Sequence, residues 1–258
     1  MNQRETVLLT GASAGIGREL AYLFARDGSN LILVARRKER LEALAAELSQ
    51  QYRVEVLPLP ADLSKPEAPE HIFRTLQEQG KEVDVLVNNA GFGLRGAFHE
   101  LDLDRQLAMI QVNVMALTHL TGLFLPEMLK RGRGGVLNVA STAAFQPGPY
   151  MAVYYATKAY VLSFTEALHE ELRGSGLTVT CLAPGATQTE FAHVAHMEQT
   201  MLFKMRPMDA RTVAMAGYKG FRKGKRLVIP GFRNKLGVFL VRLTPRSVIL
   251  KVVKRLQS

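Results

Sequence analysis

Short apolar runs alternate with helix-period stretches along this chain of 258 residues, and that alternation restricts the fold more than any single motif. Residues 7–10, 31–34, 53–57, 83–87, 135–140 and 177–182 read as six successive strands, with a seventh at 226–229. Helices are expected at 15–26, 38–50, 66–79, most of 101–130, 151–173 and 210–221. Strands that are apolar on both faces and separated by helices predict an α/β fold. The expected architecture is a Rossmann-like, doubly wound parallel sheet of about seven strands with helices on both faces. Such sheets bind ligands outside the carboxyl ends of their strands. Gly11, Arg36, Asp62, Asn88, Ser141 and Pro184 each follow one of the first six strands, so the topology gathers them on one rim.

The residues at that rim carry chemistry. The first strand runs into Gly11-Ala-Ser13-Ala-Gly15-Ile16-Gly17 and then a helix, a layout that turns backbone N–H groups and a helix N-terminus toward a phosphate. After the second strand stand Ala35 and Arg36, non-acidic and basic, which suits a 2′-phosphate better than a ribose 2′-hydroxyl. Arg37 and Lys38 are expected to open a solvated helix. Asp62 is expected to accept from an adenine amino group, with a helix-capping role as the alternative. Asn113 falls inside a helical stretch, where its propensity is poor, so it either bonds something specific or is tolerated. Tyr154 and Lys158 are four residues apart, about 5–6 Å at Cβ on one helix face. An ammonium there is expected to pull the phenol below its usual pKa of ~10, so that it exchanges a proton near neutral pH. An ordinary surface helix would also show this spacing; the rim argument gives it meaning.

Taken together, these motifs make the chain resemble the short-chain dehydrogenase/reductase family, over roughly residues 6–189. The matching residues are Thr10-Gly11-x3-Gly15-x-Gly17, Asn88-Asn89-Ala90-Gly91, Asn113, Ser141, Tyr154-x3-Lys158 and Pro184-Gly185-x3-Thr189. The resemblance implies an NADP(H)-dependent enzyme that interconverts a carbonyl and a secondary alcohol. Tyr154 would be its general acid or base, and Lys158 would lower the Tyr154 pKa and hold the nicotinamide ribose. Ser141 would bond the substrate oxygen and Asn113 would support a proton-relaying water. The implied cofactor set is Gly11, Ser13, Gly15, Ile16, Gly17, Arg36, Asp62, Leu63, Asn89, Ala90, Gly91, Tyr154, Lys158, Pro184, Gly185 and Thr189, with no metal. Relatives that prefer NADP often carry a basic residue where this chain has Ala14, so the preference rests on Arg36, with Ser13 assisting. Homodimers or homotetramers through the helices holding Asn113 and Tyr154 are implied too, as is a bulky apolar, acyl- or steroid-like substrate. A cofactor-binding sensor without turnover is the alternative, and the complete Asn113–Ser141–Tyr154–Lys158 set argues against it.

The chain is expected to be one domain over 1–258, with a substrate lid at 186–210 and a basic extension at 232–258. His193-x-x-His196 in the lid offers no third ligand, so no metal is inferred. The start runs directly toward a strand without a signal-peptide core, no stretch is expected to reach membrane-span length, and Cys181 is the single cysteine. These features point to a reducing, cytoplasmic compartment. The net charge of +10 is uneven: from residue 201 on, fifteen Lys/Arg face one acid, Asp209. Packing on the body or on a sister subunit, weak contact with an anionic membrane surface, and nucleic-acid binding compete to explain this tail. Few aromatics and no reading module count against nucleic acid.

Overall fold

The computed structural model describes residues 4–191 and 207–257. In chain order its elements begin with β1 (Thr6–Thr10), α1 (Gly15–Arg26), β2 (Asn30–Ala35), α2 (Lys38–Tyr52), β3 (Val56–Pro60), α3 (Ala68–Glu78) and β4 (Val85–Asn88). Next come α4 (Leu103–Ile110), a π-helical turn (Gln111–Ala116), α5 (Leu117–Arg131), β5 (Gly134–Val139), a 3-10 turn (Thr142–Phe145), α6 (Ala152–Glu171) and β6 (Leu177–Leu182). The chain closes with β7 (Thr187–Gln188), β8 (Met208–Asp209), α7 (Ala210–Arg222), β9 (Leu227–Val228), α8 (Phe232–Leu243) and α9 (Arg246–Gln257). Seven strands form one parallel sheet in the order β3-β2-β1-β4-β5-β6-β9, and β7 pairs with β8 in a separate ribbon.

Period-2 alternation explains why both faces are covered. Val7 and Leu9 point into one apolar layer, under α1, α2 and α7, while Leu8 between them points into the other, under α3 and α5. All three are fully buried, as parallel strands between helical layers must be. The strand order reverses between β1 and β4, which opens a crevice at their carboxyl ends.

Two expectations need correction. The third strand is not at 53–57 but at Val56–Pro60, because Arg53 takes a left-handed conformation (φ 55°) that caps α2. Pro58 and Pro60 are tolerated because β3 is an edge strand, with a neighbour on one side only. The helical stretch Leu103–Arg131 is, by length and composition, apolar enough to cross a membrane, contrary to the expectation that none is. Its Leu120, Phe124 and Met128 are buried under the sheet, as in the core helix of a globular domain.

The basic extension is two helices. Ile249 and Val253 of α9 pack into a cluster with Leu94, Met109, Met151, Tyr154 and Tyr155. Only Val238 of α8 is buried. Of the expected lid, the described parts are its base, where Thr187–Gln188 pairs with Met208–Asp209. His193 and His196 lie outside the described residues.

Candidate active site

The carboxyl rim encloses a cavity of about 630 Å³ lined by the ends of β1, β2, β3, β4, β5 and β6. Five of the six rim residues singled out in the sequence line it: Gly11, Arg36, Asp62, Ser141 and Pro184. Asn88 does not. Its side chain turns into the protein and donates to Thr121 Oγ1 (3.1 Å) and Asn138 Oδ1 (2.9 Å), and Asn138 donates in turn to Thr165 Oγ1 (3.0 Å). This buried ladder ties β4 and β5 to α5 and α6.

The glycine turn is built by steric demand. Gly11 (φ +67°) and Gly15 (φ +54°) occupy left-handed conformations. A Cβ on Gly17 would lie 2.3 Å from the Gly11 carbonyl oxygen, so α1 can start this close to β1 only without one. Asn89 braces the turn, donating from Nδ2 to the carbonyls of Thr10 (3.0 Å) and Gly11 (3.1 Å). Its amide nitrogen is thus committed to shaping the cradle. Thr10 Oγ1 completes the brace, accepting from Asn89 N and Ala90 N. Asp62 Oδ1 accepts from the Ser64 amide and hydroxyl, so the carboxylate is held by its own turn while facing the cavity. Leu63, Ala90, Gly91, Gly185 and Thr189 also line the cavity. Across it, a Cβ on Gly15 would come 2.8 Å from Thr189 Cγ2, which marks how closely the two walls approach.

Arg36 lines the cavity as expected, but Arg37 does as well. The reading of Arg37 as a solvated helix opener is therefore incomplete. Its guanidinium donates to Ser13 Oγ (3.1 Å) and pairs with Glu190 (2.7 Å), which also pairs with Arg40 (2.5 Å). These arginines hold the Glu190 carboxyl below its usual range, Arg40 most strongly.

The reactive cluster lies at the β5–α6 end. Lys158 is buried and donates from Nζ to the Val139 carbonyl (2.8 Å), with Nζ 5.9 Å from the centre of the Tyr154 ring. Ser141 caps the 3-10 turn by accepting from Ala143 N (3.1 Å) and donates to the Pro184 carbonyl (3.4 Å), with its hydroxyl close enough to Tyr154 to bear on that phenol. Asn113 sits in the π-helical turn, an irregularity that recurs at functional sites. It bonds both backbone groups of Phe92 (3.1 Å from N, 3.0 Å to O) and donates to Thr157 Oγ1 (3.1 Å). The specific-bond reading of Asn113 is therefore the one observed. It stands behind Gly91, where a Cβ would lie 3.0 Å from Asn113 Oδ1 and 3.4 Å from Lys158 Nζ.

The electrostatics differ from the expected ammonium effect. Burial pushes the Tyr154 phenol well above its ordinary pKa, with the nearby Ser141 hydroxyl pulling the other way. Burial also pulls Lys158 down from 10.5 to about 8. Desolvation penalises the charged form of each group and is the largest influence on both. The cluster thus holds a protonated phenol beside a lysine poised to lose its proton.

Sequence reasoning missed the wall supplied by Val253, Leu256 and Gln257 of α9 and by Phe92, Met151, Tyr155 and Phe191. Gln257 is buried and donates to Tyr155 Oη (2.8 Å), while Arg95 donates to the Gln257 carbonyl (2.7 Å). No local pattern announces contacts between residues so far apart in the chain.

A doubly wound sheet with a glycine cradle at one end of its rim and a Ser–Tyr–Lys cluster at the other defines an oxidoreductase of the nucleotide-dependent class. The short chain dehydrogenase family model matches residues 5–200, and the chain belongs to that family. Among curated relatives, it is 41% identical over 192 residues to sulfoacetaldehyde reductase 2 of Chromohalobacter salexigens, spanning 74% of this chain and 75% of that one. Among solved structures, it resembles a short-chain dehydrogenase from Sphingobium yanoikuyae in complex with NADPH, with a TM-score of 0.84, 34% identity and 95% of both chains covered. It also resembles the bulky-bulky ketone specific alcohol dehydrogenase of Comamonas testosteroni, with a TM-score of 0.79, 30% identity and coverage of 94% of this chain and 93% of that one. The enzyme interconverts a carbonyl and an alcohol on a small-molecule substrate.

Proposed function

We propose that the chain uses NADP(H), with Tyr154 exchanging the proton and Ser141 and Lys158 setting its position and charge. The observation that carries this reading is their convergence at the end of β5 on one cavity with the glycine cradle. The residues fit the dinucleotide. Without Cβ atoms at Gly11, Gly15 and Gly17 the turn closes tightly on Asn89, Thr189 and its own backbone, and Gly11, Ser13, Gly15 and Ile16 line the cavity at the start of α1, where a pyrophosphate would sit. Arg36, Arg37 and Ser13 gather at the end of β2, where a 2′-phosphate would be read. The bound dinucleotide supplies or takes up the hydride.

The chain's own groups handle the proton. Burial keeps it on Tyr154, which is the form that carbonyl reduction needs in a general acid. Ser141, fixed by the 3-10 turn, presents its hydroxyl beside that phenol and orients the substrate oxygen. Lys158, pulled to about 8, is poised to pass a proton on near neutral pH. Asn113 fixes the backbone of Phe92 and the approach behind Gly91. The apolar wall of Phe92, Met151, Phe191, Val253 and Leu256 favours a bulky apolar carbonyl compound.

The test is NADPH oxidation against a panel of ketones graded by size, with NADH and Tyr154→Phe as controls. The variant is expected to lose turnover at least a hundredfold, in line with the loss of a general acid, while still binding NADPH. Unchanged turnover would refute the assignment.

A homodimer or homotetramer is proposed through α4, α5 and α6, whose Leu103, Leu107, Leu129 and Tyr160 face outward and are exposed. A cytoplasmic location accords with the free, buried Cys181. As a second reading, the basic tail touches an anionic membrane surface; the feature favouring it is the outward apolar face of α8.

A further inference from the structure

We infer that α8 lies flat on an anionic lipid bilayer and sets the mouth of the cavity against it, so that the enzyme takes a lipophilic carbonyl substrate from the membrane. The substrate half of this inference rests on the proposed catalysis; the docking half does not.

The surface of α8 is inverted for a helix packed on a protein body. Phe232, Leu236, Phe239, Leu240 and Leu243 are 77%, 45%, 56%, 48% and 68% exposed, whereas Val238 is buried. At about 100° per residue those five side chains fall within roughly 100° of one another, as a single stripe. Arg233 borders one side of the stripe, and Lys235 and Arg242 border the other; all three are exposed. An apolar stripe edged by cations suits the boundary between acyl chains and headgroups, where the stripe enters and the cations stay with phosphate.

Charge decides between occupants. No Asp or Glu occurs after Asp209. Among the described residues, Arg233, Lys235, Arg242, Arg246 and Lys251 form no ion pair. Two copies of this face would bring like charges together with no acid to compensate. Nucleic acid would meet the cations but leave the five apolar side chains in water. An anionic bilayer matches both features.

Position gives the docking its consequence. α8 stands directly behind the cavity wall: its Asn234 packs so closely on the cavity-lining Gly185 that a Cβ there would meet Asn234 Oδ1 at 2.5 Å. Through Val253 and Leu256, α9 forms part of the cavity wall, and its Ile249 and Val253 hold it to the body. A bilayer under α8 therefore lies one packing layer from the cavity, behind the wall that Gly185 belongs to.

The test uses the full chain with vesicles of phosphatidylcholine alone, or of three parts phosphatidylcholine to one of phosphatidylserine. The protein is expected to sediment with the anionic vesicles at low salt, release at high salt, and ignore the neutral ones. The double variant Phe239→Gln/Leu243→Gln is expected to bind at least tenfold more weakly with an unchanged melting temperature, since both side chains point away from the body. Lys235→Glu/Arg242→Glu is expected to lose binding to a similar extent. Wild-type protein left in the supernatant, or variants that bind like wild type, would overturn the docking. So would tighter binding to duplex DNA than to vesicles, or an apolar double variant that changes the oligomeric state without lipid. With docking established, the apolar double variant should keep wild-type turnover of a water-soluble ketone and lose several-fold on a ketone dissolved in vesicles. Equal loss on both, or on neither, would overturn the delivery half. A chain that binds vesicles but turns over nothing would instead strike the catalytic proposal alone.

Discussion

Replacing Lys158 by Met isolates what burial does to the reactive cluster. Met keeps most of the aliphatic stem and removes the titratable group. In the folded chain Lys158 titrates near 8, against 10.5 for the free side chain. The unfolded state therefore holds more protons between those values, and the lysine's contribution to stability rises with pH across that window. Below about 8 both states are protonated and the full cost of the buried charge is present; above about 10.5 both are neutral and it is gone. The whole span is worth about 3 kcal/mol, and the part between pH 7 and 9 about 1.4 kcal/mol. For a chain of this size that is a rise of roughly 3–6 °C in melting temperature relative to the variant. The lost hydrogen bond to Val139 shifts the variant by a constant that does not depend on pH. Tyr154 is pushed up by burial and Cys181 to about 12, so neither titrates in the folded chain within this window. The assay is thermal melting of both proteins, free of cofactor, from pH 7 to 9. A difference between them that stays flat with pH would refute the reasoning, because it would mean that the Lys158 ammonium is solvated and keeps its ordinary pKa.

Other expectations follow from single contacts. Gly17→Ala puts a methyl 2.3 Å from the Gly11 carbonyl oxygen; calorimetry should show NADPH binding at least tenfold weaker, and undiminished binding would mean that the turn yields freely. Glu190→Gln frees Arg37 and Arg40 from a competing carboxylate; the NADPH dissociation constant should fall several-fold while that of NADH stays put, and a parallel change in both would rule out competition with the 2′-phosphate. Asn138→Leu breaks the buried ladder between Asn88 and Thr165; it should cost about 2–3 kcal/mol in denaturant unfolding, and a neutral result would show that the ladder relaxes around an apolar side chain.

The sequence alone determined the strand–helix alternation, the parallel sheet it implies, the glycine cradle and the Tyr154–Lys158 face, because each is written in residues close together in the chain. The carboxyl-end rule then placed five of six rim residues around one cavity, since it needs only strand order and direction. Tertiary structure decided the rest. Asn88 turned inward because Asn138 and Thr121 offered partners from other elements. β3 moved because Arg53 ends α2 in a left-handed conformation, and it could take up two prolines because it became an edge. Spacing suggested that Lys158 would acidify Tyr154, but the magnitude of burial, fixed only when α6 docks on the sheet, reversed the sign. The wall of α9 and the link from Gln257 to Tyr155 join residues 102 positions apart. A contact of that kind has no period to read: it exists only when two distant segments exclude water from the same space.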